Sequence, residues 1–288
     1  MLVEDAALAR ESAGAVMARA AGENFPVASR LLGRRARAHL LAVYGFARLV
    51  DELGDSAAGD RLAALDALEQ ELDCAFAGRA RHPLLVRLEA TLHDCELPRE
   101  PFARLIEANR VDQRVSRYET WEQLRAYCAL SADPVGELVL HVFGLATPER
   151  IELSDRICTA LQLTEHCQDV AEDLAAGRIY MPAEDLRRFG CTAADLGSDA
   201  RAPVPEALRA LMRFEVTRAR ELFSAGQPLL AHLRGRPRVA VAAFVAGGRA
   251  ALDAVERAGY DVRAGAPRAA RWRRALVLAG VLRGGGAT

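Results

Sequence analysis

The sequence predicts an all-α protein on three observations. Apolar residues recur with helical periodicity over long segments, no stretch alternates as a strand does, and prolines mark the places where the periodic segments begin. The first segment covers about residues 4–21 and the second about 36–54, the latter almost wholly apolar through Leu40-Leu-Ala-Val-Tyr-Gly-Phe-Ala-Arg-Leu-Val50. Helices follow over about 58–78, 82–94 and 99–111, with Pro83 and Pro98 at or near starts, where a missing N–H costs little. A helix over about 121–144 contains Pro134, which should kink it, either freeing backbone carbonyls near a cavity or serving only as a packing bend. Pro148, Pro203 and Pro237 introduce the segments at about 149–175, 203–233 and 237–258, and a last helix is expected over about 268–283. Only 184–205 reads as a polar, irregular connection. No shift of composition marks a boundary, so residues 1–288 are expected to form one domain.

Composition removes several kinds of chemistry. With a formal net charge of −1 the chain carries no electrostatic footprint for nucleic acid. It has no lysine, all 38 basic residues being arginine, which excludes a Walker-type phosphate loop, a pyridoxal Schiff base and a lysine-dependent aldolase. The six cysteines form no C-x-x-C pair, so neither a zinc site nor a disulfide framework is indicated, and a reduced, cytosolic setting is expected. His166 and Cys167 are adjacent, but neighbouring helical residues diverge by about 100° and do not face each other, so they read as a packed structural pair. The N-terminus lacks the pattern of a signal peptide, and no apolar stretch approaches the roughly 18 residues needed to span a bilayer.

Two acidic clusters carry the chemistry. Asp51-Glu-Leu-Gly-Asp55 and Asp169-Val-Ala-Glu-Asp173 each place two aspartates one helical turn apart. In a chain that is 27% charged, one D-x-x-x-D arises easily by chance. Here both continue a longer stripe: Tyr44, Arg48, Asp51 and Asp55 in the first case, Gln162, Glu165, Asp169 and Asp173 in the second. A helix that is apolar on most sides and polar along one line is buried with that line toward a cavity or ligand. Carboxylates placed so on two facing helices would clamp hard divalent cations and, through them, a diphosphate.

Gln162-Leu-Thr-Glu-His-Cys-Gln-Asp-Val-Ala-Glu-Asp173 with Gly177-Arg-Ile-Tyr-Met-Pro182 resembles the second signature of the squalene and phytoene synthases, and Tyr44-Gly-Phe-Ala-Arg-Leu-Val-Asp-Glu-Leu-Gly-Asp55 resembles their first. Tyr127-Cys, Val135-Gly136-Glu137 and Ala251-Leu-Asp-Ala-Val-Glu-Arg-Ala-Gly-Tyr260 extend the likeness over roughly residues 22–262. It implies an isoprenoid-synthase helical bundle around a central cavity. Asp51, Asp55, Asp169 and Asp173 would bind Mg²⁺ directly or through water. Arg48 would contact the diphosphate, Gln162 and Tyr44 would line the reacting end, Arg178 and Tyr180 would close over the leaving group, and Tyr127 would lie near the carbocation. Glu165 stands where most relatives have asparagine and is either an extra ligand or a mark of altered chemistry.

Three departures point to one branch. Ala21-Gly-Glu-Asn-Phe-Pro-Val-Ala-Ser29 replaces the serine-bearing stretch of condensing members, Ser131-Ala-Asp-Pro134 replaces their small-residue segment, and Gln168 replaces an arginine. Glu-Asn-Phe-Pro-Val-Ala-Ser, the proline and Gln-Asp-Val together resemble the bacterial hydroxysqualene synthases of hopanoid pathways. That branch takes presqualene diphosphate. The alternatives are head-to-head prenyl diphosphate condensation, giving presqualene diphosphate or phytoene, and a non-catalytic relative resembling respiratory assembly factors. An apolar substrate and the arginine-bearing end Arg268-Ala-Ala-Arg-Trp-Arg-Arg274 suggest peripheral contact with a membrane, an ordinary solvated helix face being the other reading.

Overall fold

A computed structural model describes residues 33–55 and 59–284, with the backbone alone at Arg271 and Trp272. The expected helix over 4–21 and the departure at Ala21–Ser29 lie outside these residues. Among the described residues every regular element is helical, and the sole β-type pairing is an isolated bridge between Arg117 and Ile179. The helices are α1 (Arg34–Asp55), α2 (Arg61–Phe76), α3 (Pro83–Asp94), α4 (Arg99–Asp112), α5 (Trp121–Ser131), α6 (Asp133–Val142) and α7 (Pro148–Gln168), followed by α8 (Val170–Ala175), α9 (Ala183–Phe189), α10 (Ala193–Leu196), α11 (Glu206–Gly226), α12 (Leu229–His232), α13 (Gly235–Arg257) and α14 (Arg271–Gly284). None is long and apolar enough to cross a membrane.

The chain forms two compact units. Of the described residues, one takes those up to Arg114 together with Pro134–Ile151, the other Val115–Asp133 and those from Glu152 onward.

In the first unit α1 packs on α2, α3 and α4. Phe46 and Phe102 are fully buried and meet edge to face at 5.0 Å, surrounded by Leu65, Leu68, Leu85, Leu88 and Ile106. Each such side chain contributes roughly 1.5–3 kcal/mol by leaving water. Local signals fix the ends. Asp60 caps α2 by accepting from Ala63 N–H, and Pro83 opens α3, whose approach is held by the buried Glu71 carboxylate accepting from the N–H groups of Arg81 and His82. The acidic end of α1 lies close against α4: a Cβ at Gly54 would sit 2.0 Å from Asn109 Oδ1, and Gln113 Nε2 donates to the Gly54 carbonyl at 3.0 Å.

In the second unit α11 packs against α9 and α13, and α14 packs along α13. Leu163, Leu208, Leu211, Val216, Phe223, Val245 and Leu252 are buried to 0% exposure and make its core.

Four expectations need correction. The helix over 121–144 is two helices, broken at Ala132, with Pro134 in the second position of α6, where it forfeits no intrahelical bond. The segment 149–175 departs from helical geometry at Asp169 (φ −99°, ψ 17°), where acidic residues crowd at i, i+4 spacing, although Asp169 N–H still reaches the Glu165 carbonyl. The segment 203–233 starts at Glu206 and is interrupted at Gln227–Pro228, a proline whose ring cannot continue the ladder. The connection 184–205 contains α9 and α10, helices of 7 and 4 residues, too short to display a period.

Candidate active site

In the first unit α1 buries Val43, Phe46, Leu49, Val50 and Leu53 and leaves its polar stripe partly accessible. Tyr44 is buried, Arg48 and Asp51 are half-buried and Asp55 is exposed. Arg48 Nη1 lies 3.5 Å from Asp51 Oδ2, one turn along the same face. Tyr44, Arg48, Asp51 and Asp55 therefore share a line on one rigid helix, as the spacing predicts.

The second unit gathers more. Gln162, Glu165, Asp169 and Asp173 run along the end of α7 and through α8, all of them half-buried. Burial, with Glu172 beside it, raises the Asp169 carboxyl above the ordinary carboxylate value while Arg268 opposes the shift. The stretch is rich in acid and would be relieved by added positive charge.

A tight turn returns the chain after Asp173. Gly177, at φ +79°, follows the end of α8, with its N–H on the Leu174 carbonyl and the Arg178 N–H on the Asp173 carbonyl, the pairing of a Schellman motif. This conformation costs an L-residue about 1–2 kcal/mol. Gly177→Ala is accordingly expected to lower the melting temperature by roughly 2–4 °C or somewhat more and to slow turnover, because the turn aims Arg178 and Tyr180. A melt indistinguishable from wild type would show that the turn tolerates a side chain.

Segment 178–184 is then tied to 116–121. Ile179 N–H donates to the Ser116 carbonyl at 2.9 Å, Ala183 N–H to the Tyr118 carbonyl at 2.9 Å, and Trp121 N–H to Glu184 Oε1 at 2.7 Å. These bonds assemble three buried tyrosines. Tyr127 and Tyr180 have centroids 5.8 Å apart, and Tyr118 lies 5.4 Å from Tyr127 and 6.0 Å from Tyr180. On Tyr180 stacks His166, at 3.8 Å and 11°, and its Nε2 is 3.3 Å from Gln162 Nε2. Burial pushes the imidazole down to about 3, so it is neutral at physiological pH.

Of the expected site residues, the structure thus joins Gln162, Tyr127 and Tyr180 into one cluster and sets Asp173 and Arg178 at the two ends of one turn. Sequence reasoning missed Tyr118 and assigned His166 only to packing with Cys167. Nothing in the run Arg117-Tyr-Glu119 distinguishes that tyrosine, since its partners lie far along the chain. Cys167 itself is fully buried with its thiol pushed up by burial, which disposes of it as a nucleophile. All six cysteines are free. Gln168, where relatives were expected to carry arginine, donates to the Pro267 carbonyl at 2.5 Å.

Among the described residues no three His, Cys, Asp or Glu side chains converge closely enough to form a metal cage. Magnesium does not require one, being bound through one or two carboxylates, substrate phosphates and water. Paired hard oxygen donors one turn apart and partly open to solvent, Asp51 with Asp55 on α1 and Asp169 with Asp173 at the start of α8, are a donor set of that kind.

Comparison with known proteins locates the chain. A family model described as squalene/phytoene synthase matches residues 18–275. A phytoene synthase from Arthrospira platensis is 34% identical over 255 residues, covering 83% of this chain and 82% of the relative. A hydroxysqualene synthase from Rhodopseudomonas palustris is 35% identical over 217 residues, covering 74% and 72%. The crystal structure of squalene synthase HpnC from Alicyclobacillus acidocaldarius superposes with a TM-score of 0.79 at 49% identity, covering 85% of this chain and 92% of that one.

Proposed function

The chain belongs to the squalene/phytoene synthase family, and on that premise we propose that it is a hydroxysqualene synthase: it ionises presqualene diphosphate and quenches the rearranged cation with water. In this reading the C–O bond to the diphosphate breaks with its electron pair leaving on oxygen, the cyclopropane opens, a water oxygen forms the new C–O bond, and a proton is released. The observation that carries the proposal is the run from Gln162 to Tyr180, which places acids, an arginine and a buried aromatic cluster in one compact unit.

Each element of that run has a task. Asp51 with Asp55 and Asp169 with Asp173 would hold Mg²⁺, which supplies positive charge to the departing diphosphate. Arg48 and Arg178 would each add fixed cationic charge toward the diphosphate. Tyr118, Tyr127 and Tyr180 offer ring faces that tolerate a carbocation without attacking it, and their burial keeps stray water away. Tyr44 and Gln162 would line the reacting end, and Glu165 would supplement the acidic run. Residues 1–288 would act as one synthase domain on the cytoplasmic side of a membrane. Leu276 on α14, 62% exposed, supports a peripheral contact.

Condensation of two prenyl diphosphates is the second reading, favoured by the similarity to a phytoene synthase at comparable identity and coverage. One assay separates them. Incubated with presqualene diphosphate and Mg²⁺ in liposomes, the purified protein should release diphosphate and a lipid with the mass of hydroxysqualene, and removing residues 268–288 should abolish its sedimentation with the vesicles. Consumption of farnesyl or geranylgeranyl diphosphate alone, with a hydrocarbon or a cyclopropyl diphosphate as product, would transfer the assignment to condensation.

A further inference from the structure

The Gln162 to His166 contact has a direction. A carboxamide nitrogen carries only N–H groups and no usable lone pair, so where Gln162 Nε2 meets His166 Nε2 at 3.3 Å the imidazole nitrogen must accept. The neutral ring then carries its proton on Nδ1. The two side chains stand at i and i+4 on α7, one above the other on a single face. The imidazole is itself immobilised: it is 5% exposed, and one face lies flat on Tyr180, which Tyr118 and Tyr127 flank in turn. With the ring held in this way, the contact keeps the carboxamide N–H toward His166 Nε2 and Oε1 on the opposite side.

We propose that His166 is a positioning residue, which locks the Gln162 carboxamide so that its carbonyl oxygen, rather than its N–H, is presented to the reacting end of the isoprenoid diphosphate. The inference rests on the functional reading above in placing Gln162 beside substrate. Depression of the imidazole by burial is consistent with it, since a protonated ring would offer a donor and turn the amide over.

The test has a spectroscopic arm and a kinetic arm. In the wild-type protein, the ¹⁵N shifts of the His166 ring should report the neutral Nδ1–H tautomer from pH 5 to 9, and the Nε2 signal should move in Gln162→Met. His166→Phe keeps a ring on Tyr180 but deletes the acceptor, and should lower kcat about 10²-fold with KM changed little. His166→Gln, which returns an acceptor oxygen at similar reach, should recover most of that loss. Adding Gln162→Met to His166→Phe should cost little more, because the two residues act as one unit.

An Nε2–H tautomer, an Nε2 signal indifferent to Gln162, or a His166→Phe enzyme with wild-type kcat would each overturn the proposal. The ring shifts need only wild-type protein and Gln162→Met, so a phenylalanine variant that fails to fold leaves the question decidable. A wild-type protein inert toward every isoprenoid diphosphate would bring down the functional reading, and the tautomer would still decide the positioning.

Discussion

Replacing Asp51 and Asp169 together by asparagine will abolish Mg²⁺-dependent diphosphate binding and reduce turnover by roughly 10³-fold or more, while the protein melts within a few degrees of wild type. On the proposed reading the activity loss follows from the Mg²⁺ charge these carboxylates would hold in place, since removing a single group that stabilises developing charge commonly costs 10²–10³-fold. The stability expectation comes from the structure. The Asp51 side chain is 49% exposed and its ion pair to Arg48 spans 3.5 Å, a contact worth less than about 1 kcal/mol. Asp169 is held in a setting that already penalises its charge through burial and Glu172, so an uncharged isostere relieves repulsion there. Calorimetry with inorganic diphosphate and Mg²⁺, paired with a thermal melt, checks both halves. A non-catalytic scaffold would bind no diphosphate even as wild type, and a double variant that retains binding would detach the aspartates from the metal.

Arg218→Ala will destabilise the second unit by about 3–5 kcal/mol, because it removes the cation from between two buried acids. Arg218 Nη1 donates to Asp185 Oδ2 at 2.8 Å and to Glu215 at 2.8 and 3.1 Å, and the two carboxylate side chains are only 5% and 0% exposed. Its guanidinium also lies 4.6 Å from the Trp121 ring and 4.5 Å from Phe214. One positive charge shared by two carboxylates cannot compensate both. Burial, reinforced by Asp185 and opposed by Arg218, pushes the Glu215 carboxyl from 4.5 up to about 8.

The sign of the pH dependence follows. Folded protein keeps a proton on Glu215 that unfolded chain gives up, so this group's contribution is complete below about pH 4.5 and is lost as pH rises toward about 8. Wild-type melting temperature should therefore fall across that window, and Glu215→Gln should flatten the fall. A melting temperature independent of pH in wild type, or an Arg218→Ala protein as stable as its parent, would mean that the triad is solvated. Because Asp185 on α9 follows Tyr180 by five residues, loosening this triad should also blunt activity through the 178–184 segment.

The helices were legible because their signals are local. Periodicity over many turns and prolines at N1 such as Pro83 and Pro148 act within a few residues of the element they define. For the same reason the polar stripe Tyr44–Asp55 could be read from spacing alone, since an α-helix converts i, i+4 into a common face, whereas the run from Gln162 to Asp173 crosses a break at Asp169 that spacing does not announce. The sequence by itself also determines that no lysine side-chain amine is offered to any site, because the chain has no lysine.

Tertiary structure decided the rest. The pairing of Ser116–Trp121 with Arg178–Glu184, the stack of His166 on Tyr180 and the raised carboxyl of Glu215 all join residues brought together by folding, or depend on what burial does to a charge. Spacing along a chain encodes the angle between neighbouring side chains on one helix. It does not encode which distant residue will close over them, nor how much water will remain when it does, and those two quantities set both the position of an aromatic cluster and the charge state of a buried acid.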